Sequence, residues 1–329
     1  MSFKLLGAGS PLVDYSLKIS DAALENIVPD GKGCTRNISH QEKDQVLCRG
    51  ENICRSPGGS AANTIRAFSR LGGTAALFGK AGYDDDGKYF RKQLTISGAD
   101  DSLLLETDSN GTGYCLSLIT PDAERTMLSN LGASLDIAVE DIEKIRFSNF
   151  SFLLMEGYLA CESWSIPLLQ KAKKSGIPVA LDLNNFELVR KKRELFNFLV
   201  NNYTDLLFAN EEEIKALLDA RNIDGIENKL PQLQAVIKLG KEGSLLVTPT
   251  TSNVIKIPPS PVEKLKDTTG AGDFYAAGFF FGMSRNLSGE KCCRLGALCA
   301  SAIISVTGTE LNDEQWNLLK NNINNEVNK

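Results

Sequence analysis

From about residue 150 onward, short apolar runs alternate with segments that have the periodicity of amphipathic helices. The apolar runs occupy residues 150–154, 178–183, 206–209, 235–239 and 244–247. Strands that alternate with helices predict a mostly parallel sheet with helices on both faces. Ligands bind beyond the carboxyl ends of the strands in sheets of this kind, so we expect the functional site at that edge.

Two polar segments, at about residues 15–56 and 103–130, interrupt this pattern. Both contain short alternating apolar pieces, such as residues 114–119, which are typical of strands in hairpins. We therefore expect a single domain over residues 1–329. Within it, the two polar segments are predicted to form a small sheet that covers the strand ends as a lid.

The bulk composition is that of an ordinary globular enzyme, with 42% hydrophobic and 23% charged residues. The net charge of −5 argues against nucleic acid as a partner, because phosphate backbones require a basic surface. No run approaches the roughly 20 apolar residues of a membrane span, so no membrane partner is expected. The N-terminus lacks a signal-peptide pattern, and a cytoplasmic location is predicted. The oligomeric state is left open between monomer and homodimer.

The eight cysteines do not look like a disulfide framework in a chain of this length. Cys34, His40, Cys48 and Cys54 fall close together in one polar segment. No pair among them has the tight spacing of a structural zinc site. We therefore do not expect zinc in this segment.

The segment Asp267–Asp273 reads D-T-T-G-A-G-D and runs directly into the strongly apolar residues 274–283. The first N–H groups of a helix lack internal partners and carry the positive end of the helix dipole. Gly270 and Gly272 would let this backbone close around an anion, and Asp273 is placed to take a proton from a hydroxyl. Such a pair is typical of phosphoryl transfer to an alcohol. The alternative is a helix start built only for close packing.

A second glycine-rich segment, residues 58–63, precedes a predicted helix that Ser60 would cap and Gly72 would end. Two other glycine patterns do not predict phosphate binding. Residues 82–89 match the spacing of a Walker A loop, but three consecutive carboxylates would repel phosphate. The run at residues 4–9 lacks the third glycine of a dinucleotide fingerprint, because Leu12 stands in its place.

Taken together, these motifs resemble the PfkB (ribokinase-like) family of carbohydrate kinases. Residues 58–63 are similar to its first signature, and residues 267–273 match its second without a mismatch. Further similar blocks in family order are residues 82–87, 210–213 and 238–243, so the resemblance covers nearly the whole chain. Similarity to the adenosine-kinase-like branch lies in residues 120–127, 156–159, 208–211 and 300–308. The resemblance implies a three-layer α/β/α fold with a mostly parallel central sheet and a small β-sheet lid.

The resemblance also implies a role for each matched residue. Asp273 matches the catalytic base, and the anion hole that stabilises the transferring phosphoryl group matches Gly270, Ala271 and Gly272. The residues that match the acceptor-binding pocket are Asp14, Gly58, Gly59 and Asn63. A carboxylate, an amide and two glycines suit a sugar, because they offer acceptors, a donor and close backbone approach.

The nucleotide side is implied in the same way. Asn210 and Glu213 match the pair that organises Mg²⁺ and the phosphates of ATP, through waters. The residues that resemble the ATP-side loop are Lys238, Gly240 and Gly243, and Arg125 resembles a lid arginine that meets phosphate charge. Asp267 and Thr269 resemble ligands of a monovalent cation such as K⁺.

The implied reaction is ATP-dependent phosphorylation of a primary hydroxyl on a ribose-type nucleoside or sugar, with adenosine as the leading acceptor. Two alternatives stay open at this point. One is a sugar kinase that acts on fructose, ribose or a keto-sugar acid, and the other is a metabolite-binding protein without catalysis. The intact Asp273 and its neighbouring glycines favour an enzyme.

Overall fold

The computed structural model describes residues 3–29, 31–122, 124–230, 233–249 and 253–328. Ala123, within one of the adenosine-kinase-like blocks, lies outside the described residues. The strands are β1 (Lys4–Ala8), β2 (Leu12–Lys18), β3 (Thr35–Asn37), β4 (Glu51–Gly58), β5 (Thr74–Gly82), β6 (Leu104–Thr107), β7 (Thr112–Ile119), β8 (Arg125–Gly132), β9 (Phe152–Glu156), β10 (Val179–Asp182), β11 (Leu206–Asn210), β12 (Gln234–Lys238), β13 (Ser244–Thr248) and β14 (Asn253–Ile257). The α-helices are α1 (Asp21–Ile27), α2 (His40–Leu47), α3 (Ser60–Arg70), α4 (Asp85–Ile96), α5 (Ser165–Lys174), α6 (Phe186–Lys191), α7 (Arg193–Tyr203), α8 (Glu211–Leu218), α9 (Ile226–Lys229), α10 (Ala271–Ser284), α11 (Gly289–Ile303) and α12 (Asp313–Val327).

The large sheet has the strand order β14-β13-β12-β11-β10-β9-β1-β5-β6. Its strands are parallel from β6 to β12, and only β13 and β14 are antiparallel to their neighbours. The predicted mostly parallel sheet is therefore confirmed. The apolar runs after residue 150 form β9 to β13 with boundaries shifted by only one or two residues.

Side chains that alternate along the central strands face two different helical layers. Leu5 and Leu154 pack on the side of α3, α10 and α11, whereas Leu6 and Leu153 pack on the side of α5, α7 and α8. A strand buried on both faces needs apolar residues at every position, which explains the unbroken runs in the sequence. The result is the three-layer α/β/α architecture, with the carboxyl ends of the parallel strands at one edge.

The small sheet has the order β3-β8-β7-β2-β4. Its boundaries differ from those expected for the lid. It begins at Leu12, and β6, which lies in the second polar segment, pairs with β5 in the large sheet. The buried Leu104 pairs with Gly79 of β5, so this segment extends the edge of the large sheet. The second segment of the small sheet therefore runs from Thr112 to Gly132.

The segment with the Walker A spacing joins the two sheets. Asp84 caps α4 by accepting from the N–H of Gly87 at 2.7 Å. The same carboxylate accepts from the N–H and the hydroxyl of Thr112, at 2.7 and 2.6 Å. Thr112 is the first residue of β7, so this carboxylate fixes one end of the small sheet to the large one.

The described part of the chain contains no helix that combines the length and the apolar character needed to cross a bilayer. The cysteines are free thiols, and His40 packs edge-on against Tyr114 with ring centroids 5.0 Å apart. Among the described residues, no group of three or more His, Cys, Asp or Glu side chains is arranged to hold a metal ion.

Candidate active site

Polar residues end four neighbouring strands of the parallel sheet. They are Glu156, Asp182, Asn210 and Lys238, the last residues of β9, β10, β11 and β12. Since these carboxyl ends meet at one edge, the side chains gather beside the start of α10. This is the edge at which the sequence predicted a ligand site.

The start of α10 has the geometry of an anion site. Gly270 is its cap, with a left-handed φ of +76°. Ala271 donates its N–H to the carbonyl of Thr268 at 3.2 Å, so it is already engaged. Within the described residues, the N–H groups of Gly272 and Asp273 have no protein acceptor. These two groups, rather than that of Ala271, are therefore available to an incoming phosphoryl oxygen.

Asp273, in the first turn of α10, accepts one hydrogen bond on each carboxylate oxygen. Ser60 donates its hydroxyl to Oδ1 at 2.7 Å, and Asn63 donates Nδ2 to Oδ2 at 3.0 Å. Burial raises the pKa of Asp273 to about 6, although the hydrogen bonds from Ser60 and Asn63 lower it. The nearby charges of Asp182 and Lys238 act in opposite directions. A carboxylate with a pKa just below neutral is suited to general base catalysis near neutral pH.

Ser60 is not the helix cap that the sequence predicted. The cap is Gly59, with a φ of +91°, and Ser60 is the first residue of α3. A side chain at position 59 would place its Cβ 1.9 Å from the carbonyl oxygen of Ser10, so only glycine fits this approach. The Ser60 hydroxyl is thus free to reach Asp273, a contact that sequence reasoning missed.

We expect Gly59→Ala to destabilise the fold by about 3 kcal/mol, because the strained φ and the clash with Ser10 add together. Gly72→Ala is the matched control. Gly72 has a φ of +100°, but no atom lies within 4 Å of the position that a Cβ would take there. Only the backbone cost of about 1 kcal/mol is therefore expected at Gly72. Urea unfolding of both variants measures the difference. Equal losses would contradict the close approach at Gly59.

The four residues that the resemblance assigns to acceptor binding lie next to Asp273. Asp14, on β2, is partly buried beside Gly58, where a Cβ would lie 2.2 Å from its Oδ1. Burial and the charge of Asp273 raise the pKa of Asp14 to about 7, while Arg66 lowers it. The structure brings these groups together, and their role in binding an acceptor stays a prediction.

Glu156 is a buried carboxylate that sequence reasoning did not select. It is 1% exposed and accepts from the N–H and the hydroxyl of Ser10 at 2.8 and 2.6 Å. Its other oxygen accepts from the N–H of Ala61 at 3.1 Å. Burial raises the pKa of Glu156 to about 7 despite these bonds. Glu156 thus links the turn after β1 to the first turn of α3. The sequence indicates it only as a polar residue at the end of an apolar strand.

On the nucleotide side, Lys238 lies between the strand ends and the anion site. Its Nζ is 3.2 Å from Oδ2 of Asp182 and would lie 3.0 Å from a Cβ at Gly272. Burial disfavours its charge, but Asp182, Glu213 and Asp273 raise the pKa of Lys238 above its ordinary value. A charged ammonium therefore stands beside the free N–H groups, where phosphate charge would be stabilised.

Asn210 and Glu213 form a reciprocal cap at the start of α8. Asn210 donates its N–H and Nδ2 to Glu213 at 2.8 and 2.7 Å, and Glu213 donates its N–H to Asn210 Oδ1 at 2.9 Å. Burial raises the pKa of Glu213 to about 7, with Lys238 acting against it. Mg²⁺ prefers oxygen ligands and keeps several waters. This pair therefore fits an ion held mainly by waters and phosphate oxygens.

A cavity of about 620 Å³ opens beside the anion site. The predicted ATP-side residues Lys238, Gly240 and Gly243 line it together with Gly272. Its opposite wall comes from α11 and the segment after it, which contain the block that resembles a nucleotide pocket: Ala300, Ser301 and Ile304. The cavity has the size of a small-molecule site and contacts the anion site directly.

The predicted cation ligands have other partners. Arg125, on β8, donates Nη1 to Oδ1 of Asp267 at 2.7 Å. That carboxylate also accepts from the N–H and hydroxyl of Thr269 at 3.0 and 2.7 Å and from the N–H of Gly308 at 2.9 Å. The guanidinium of Arg125 thus contacts one oxygen of Asp267 in this structure. The roles of Asp267 and Thr269 as cation ligands and of Arg125 toward phosphate stay predictions.

The raised pKa values predict how stability depends on pH. Burial raises the pKa of Asp14, Glu156 and Glu213 to about 7 and that of Asp273 to about 6. Each group binds its proton more tightly in the folded chain than in the unfolded chain. The contribution of these groups to stability therefore falls as pH rises from about 4 to about 7.

Glu213→Gln tests this dependence, since glutamine also fits the third position of the cap. We expect Tm to fall less between pH 5 and pH 8 in the variant than in the unmodified protein. Scanning calorimetry at both pH values measures it. An identical fall in both proteins would show that Glu213 ionises without cost.

A buried carboxylate lies at a helix start with free N–H groups, between a polar pocket and a cavity of about 620 Å³. This arrangement suits a phosphotransferase that acts on an alcohol. The chain belongs to the pfkB family of carbohydrate kinases, whose family model matches residues 32–316. The resemblance drawn from the sequence motifs is thus confirmed. The protein is a sugar or nucleoside kinase of this family.

Three known proteins show the range of similarity. The chain is 27% identical to a ribokinase of Arabidopsis thaliana, over 76% of this chain and 68% of that one. It is 30% identical to an ATP-dependent ribose-1-phosphate kinase of Halopiger xanaduensis, over 68% of this chain and 72% of that one. The crystal structure of adenosine kinase from Sinorhizobium meliloti superposes with a TM-score of 0.86 at 28% identity, covering 98% of this chain and 100% of that one.

Proposed function

We propose that this kinase transfers the γ-phosphoryl group of ATP to a primary hydroxyl of a ribose-type nucleoside or sugar, with adenosine as the first acceptor to test. The observation that carries the proposal is the position of Asp273. It lies at the free N–H groups of α10, between the pocket at Asp14 and Asn63 and the cavity at Lys238.

In this proposal, Asp14 and Asn63 orient the acceptor so that its hydroxyl meets Asp273. Asp273 takes the proton of that hydroxyl as the hydroxyl oxygen attacks the γ-phosphorus, and ADP leaves as the bond from the γ-phosphorus to its bridging oxygen breaks. The N–H groups of Gly272 and Asp273, with the Lys238 ammonium, stabilise the charge on the phosphoryl oxygens. Asn210 and Glu213 would hold Mg²⁺ through waters, and the ion supplies charge neutralisation on the phosphates.

Adenosine is supported by one exposed aromatic ring at this edge. Tyr158 is 40% exposed, and it follows Glu156 at the end of β9. Its hydroxyl lies 3.5 Å from the carbonyl oxygen of Asn184. A partly exposed tyrosine ring at this edge of the sheet offers a stacking surface to a purine.

A free sugar is the second candidate, and the face of the small sheet that carries Asp14 favours it. The strand register places Cys115 and Ser129 beside Asp14 on that face, and Ser16, Ser117 and Met127 in the next row. The serine hydroxyls and the carboxylate of Asp14 suit the hydroxyl groups of a sugar. Adenosine would therefore need a stacking surface in this pocket, whereas a free sugar would need hydrogen-bonding side chains there.

A coupled assay of ADP release distinguishes the candidates. The acceptors are adenosine, other nucleosides, ribose, ribose 1-phosphate, fructose and a keto-sugar acid, each with ATP and Mg²⁺. Saturable turnover with adenosine supports the first candidate. Turnover with a free sugar but not with adenosine replaces it by the second. No ATP-dependent turnover of any acceptor, with ligand-induced thermal stabilisation only, would contradict the proposed reaction.

A further inference from the structure

Asp273 receives a hydrogen bond from Ser60, and the orientation of that bond depends on a residue that does not contact Asp273. Ser60 donates to Oδ1 of Asp273, but a serine hydroxyl has one proton and also accepts. Its proton is held on the side of Asp273 when another group donates to the Ser60 oxygen. Asn184 is that group, with Nδ2 2.7 Å from Ser60 Oγ.

The amide of Asn184 is itself held in one orientation. The N–H of Gly157 donates to Asn184 Oδ1 at 2.7 Å, and a backbone N–H is only a donor. The oxygen of the amide must therefore face Gly157, which leaves the NH₂ group to face Ser60. The hydrogen bonds run from Gly157 through Asn184 and Ser60 to Asp273, and each donor follows from the type of its partner.

The backbone around Asn184 is shaped for this contact. Asn184 follows β10 with a left-handed φ of +60°, a conformation that asparagine tolerates better than most residues. A Cβ at Gly157 would lie 2.3 Å from the carbonyl oxygen of Leu183, so glycine permits the close approach of its N–H. One hydrogen bond thus joins Asn184, in its left-handed conformation, to Gly157, where a side chain would clash. Two such backbone constraints at one contact indicate that the contact has a function.

We propose that Asn184 is a positioning residue for the catalytic base, which directs the Ser60 proton at Asp273 and so sets the pH range in which the base is ionised. The inference rests on the proposed function of Asp273. Asn184 touches neither the reacting hydroxyl nor the phosphate in this role.

Other charged and titratable groups also act on Asp273, and their effect is common to all variants compared below. They come from β2, β9 and the turn after it, β10, α8 and β12, and they are Asp14, Glu156, Tyr158, Asp182, Glu213 and Lys238. Burial raises the pKa of Asp273 to about 6, and the bond from Ser60 opposes that rise. Removing the bond therefore shifts the ionisation of the base upward.

In Asn184→Asp, the group that faces Ser60 becomes a hydrogen-bond acceptor instead of a donor. A carboxylate at this position accepts the Ser60 proton and turns it away from Asp273. It also replaces the amide that paired with the N–H of Gly157 by a group that still accepts there. We expect the acidic limb of the pH profile of kcat/KM to move up by about one to two pH units, the range expected for a hydrogen bond to a charged group. Activity at pH 6 falls most, and activity above pH 8 recovers.

Asn185→Asp is the matched control, because it adds the same charge one residue away. Asn185 caps α6 by accepting from the N–H of Leu188 at 2.8 Å, and aspartate caps equally well. Ser60→Ala removes the final donor and is expected to move the acidic limb in the same direction as Asn184→Asp. Asn184→Ala keeps the Ser60 hydroxyl but no longer directs it, so an intermediate shift is expected.

The profiles are measured with the full-length chain, ATP, Mg²⁺ and the acceptor found in the screen. A larger shift for Asn184→Asp than for Asn185→Asp supports the role. Equal shifts, or no shift in Asn184→Asp and Ser60→Ala, overturn it while leaving the proposed function intact. If Asn184→Asp does not fold, Ser60→Ala and Asn184→Ala decide the same point. The absence of turnover in the unmodified protein is a separate failure, that of the proposed function.

Discussion

Asp273→Asn is expected to lower kcat by about 10³-fold, since general base catalysis contributes on this order. An amide cannot take the proton of the attacking hydroxyl, and its NH₂ group would face one of the two donors, Ser60 or Asn63. The acceptor and ATP contact other residues, so their binding should change little. Steady-state ADP release and calorimetric titration of the acceptor measure the two quantities.

Asp219→Asn provides the control for that substitution. Asp219 ends α8 in a left-handed conformation on the surface, where asparagine is well tolerated. We expect its kcat to match that of the unmodified protein. Near-normal turnover in Asp273→Asn would show that Asp273 is not the general base, for any acceptor tested.

Lys238→Met is expected to affect both catalysis and stability. The ammonium lies beside the anion site, so its loss should lower kcat/KM for ATP by about 10²-fold, as for loss of one oxyanion donor. Asp182, whose side chain is 5% exposed, would also lose its ion pair. Breaking a buried pair in this way costs about 3 kcal/mol of folding stability.

The double variant Lys238→Met with Asp182→Asn separates the two effects. Neutralising both partners removes the unpaired buried charge, so we expect part of the stability to return. Activity with ATP should stay low, because the ammonium is still missing. Urea unfolding and ADP release test both expectations. Recovery of activity in the double variant would show that Lys238 acts only through the fold.

The large sheet was predictable because its strands are buried on both faces and read as unbroken apolar runs. The bounds of the small sheet were predicted less accurately. β6 is a strand of only four residues, and its pairing with β5 depends on tertiary contacts. The buried Leu104 pairs with Gly79 of β5, and no local pattern distinguishes this run from the strands of the small sheet. The motif residues Gly58, Asn63 and Asp273 were found because they cluster in short conspicuous segments.

The residues that support the base could not be found from local patterns. Ser60 resembled an ordinary helix cap, and its partner Asp273 lies 213 positions away. Glu156 ends an apolar strand and Asn184 lies in the short polar turn after β10, and their partners are 146 and 124 positions distant. Arg125 was expected to face phosphate, but a carboxylate from the second signature lies within hydrogen-bond distance of it. Each case depends on contacts that only the folded chain brings together.

The fixed end of the small sheet has a mechanical consequence. Asp84 holds the first residue of β7, and Ile119, at the other end of that strand, pairs with Arg125. The eight residues of β7 span about 23 Å from first to last, so a rotation of about 10° around the anchored end moves the far end by about 4 Å. Such a displacement is larger than the 2.7 Å that separates Arg125 from Asp267. A small rotation of the sheet about Asp84 would therefore be enough to separate Arg125 from Asp267.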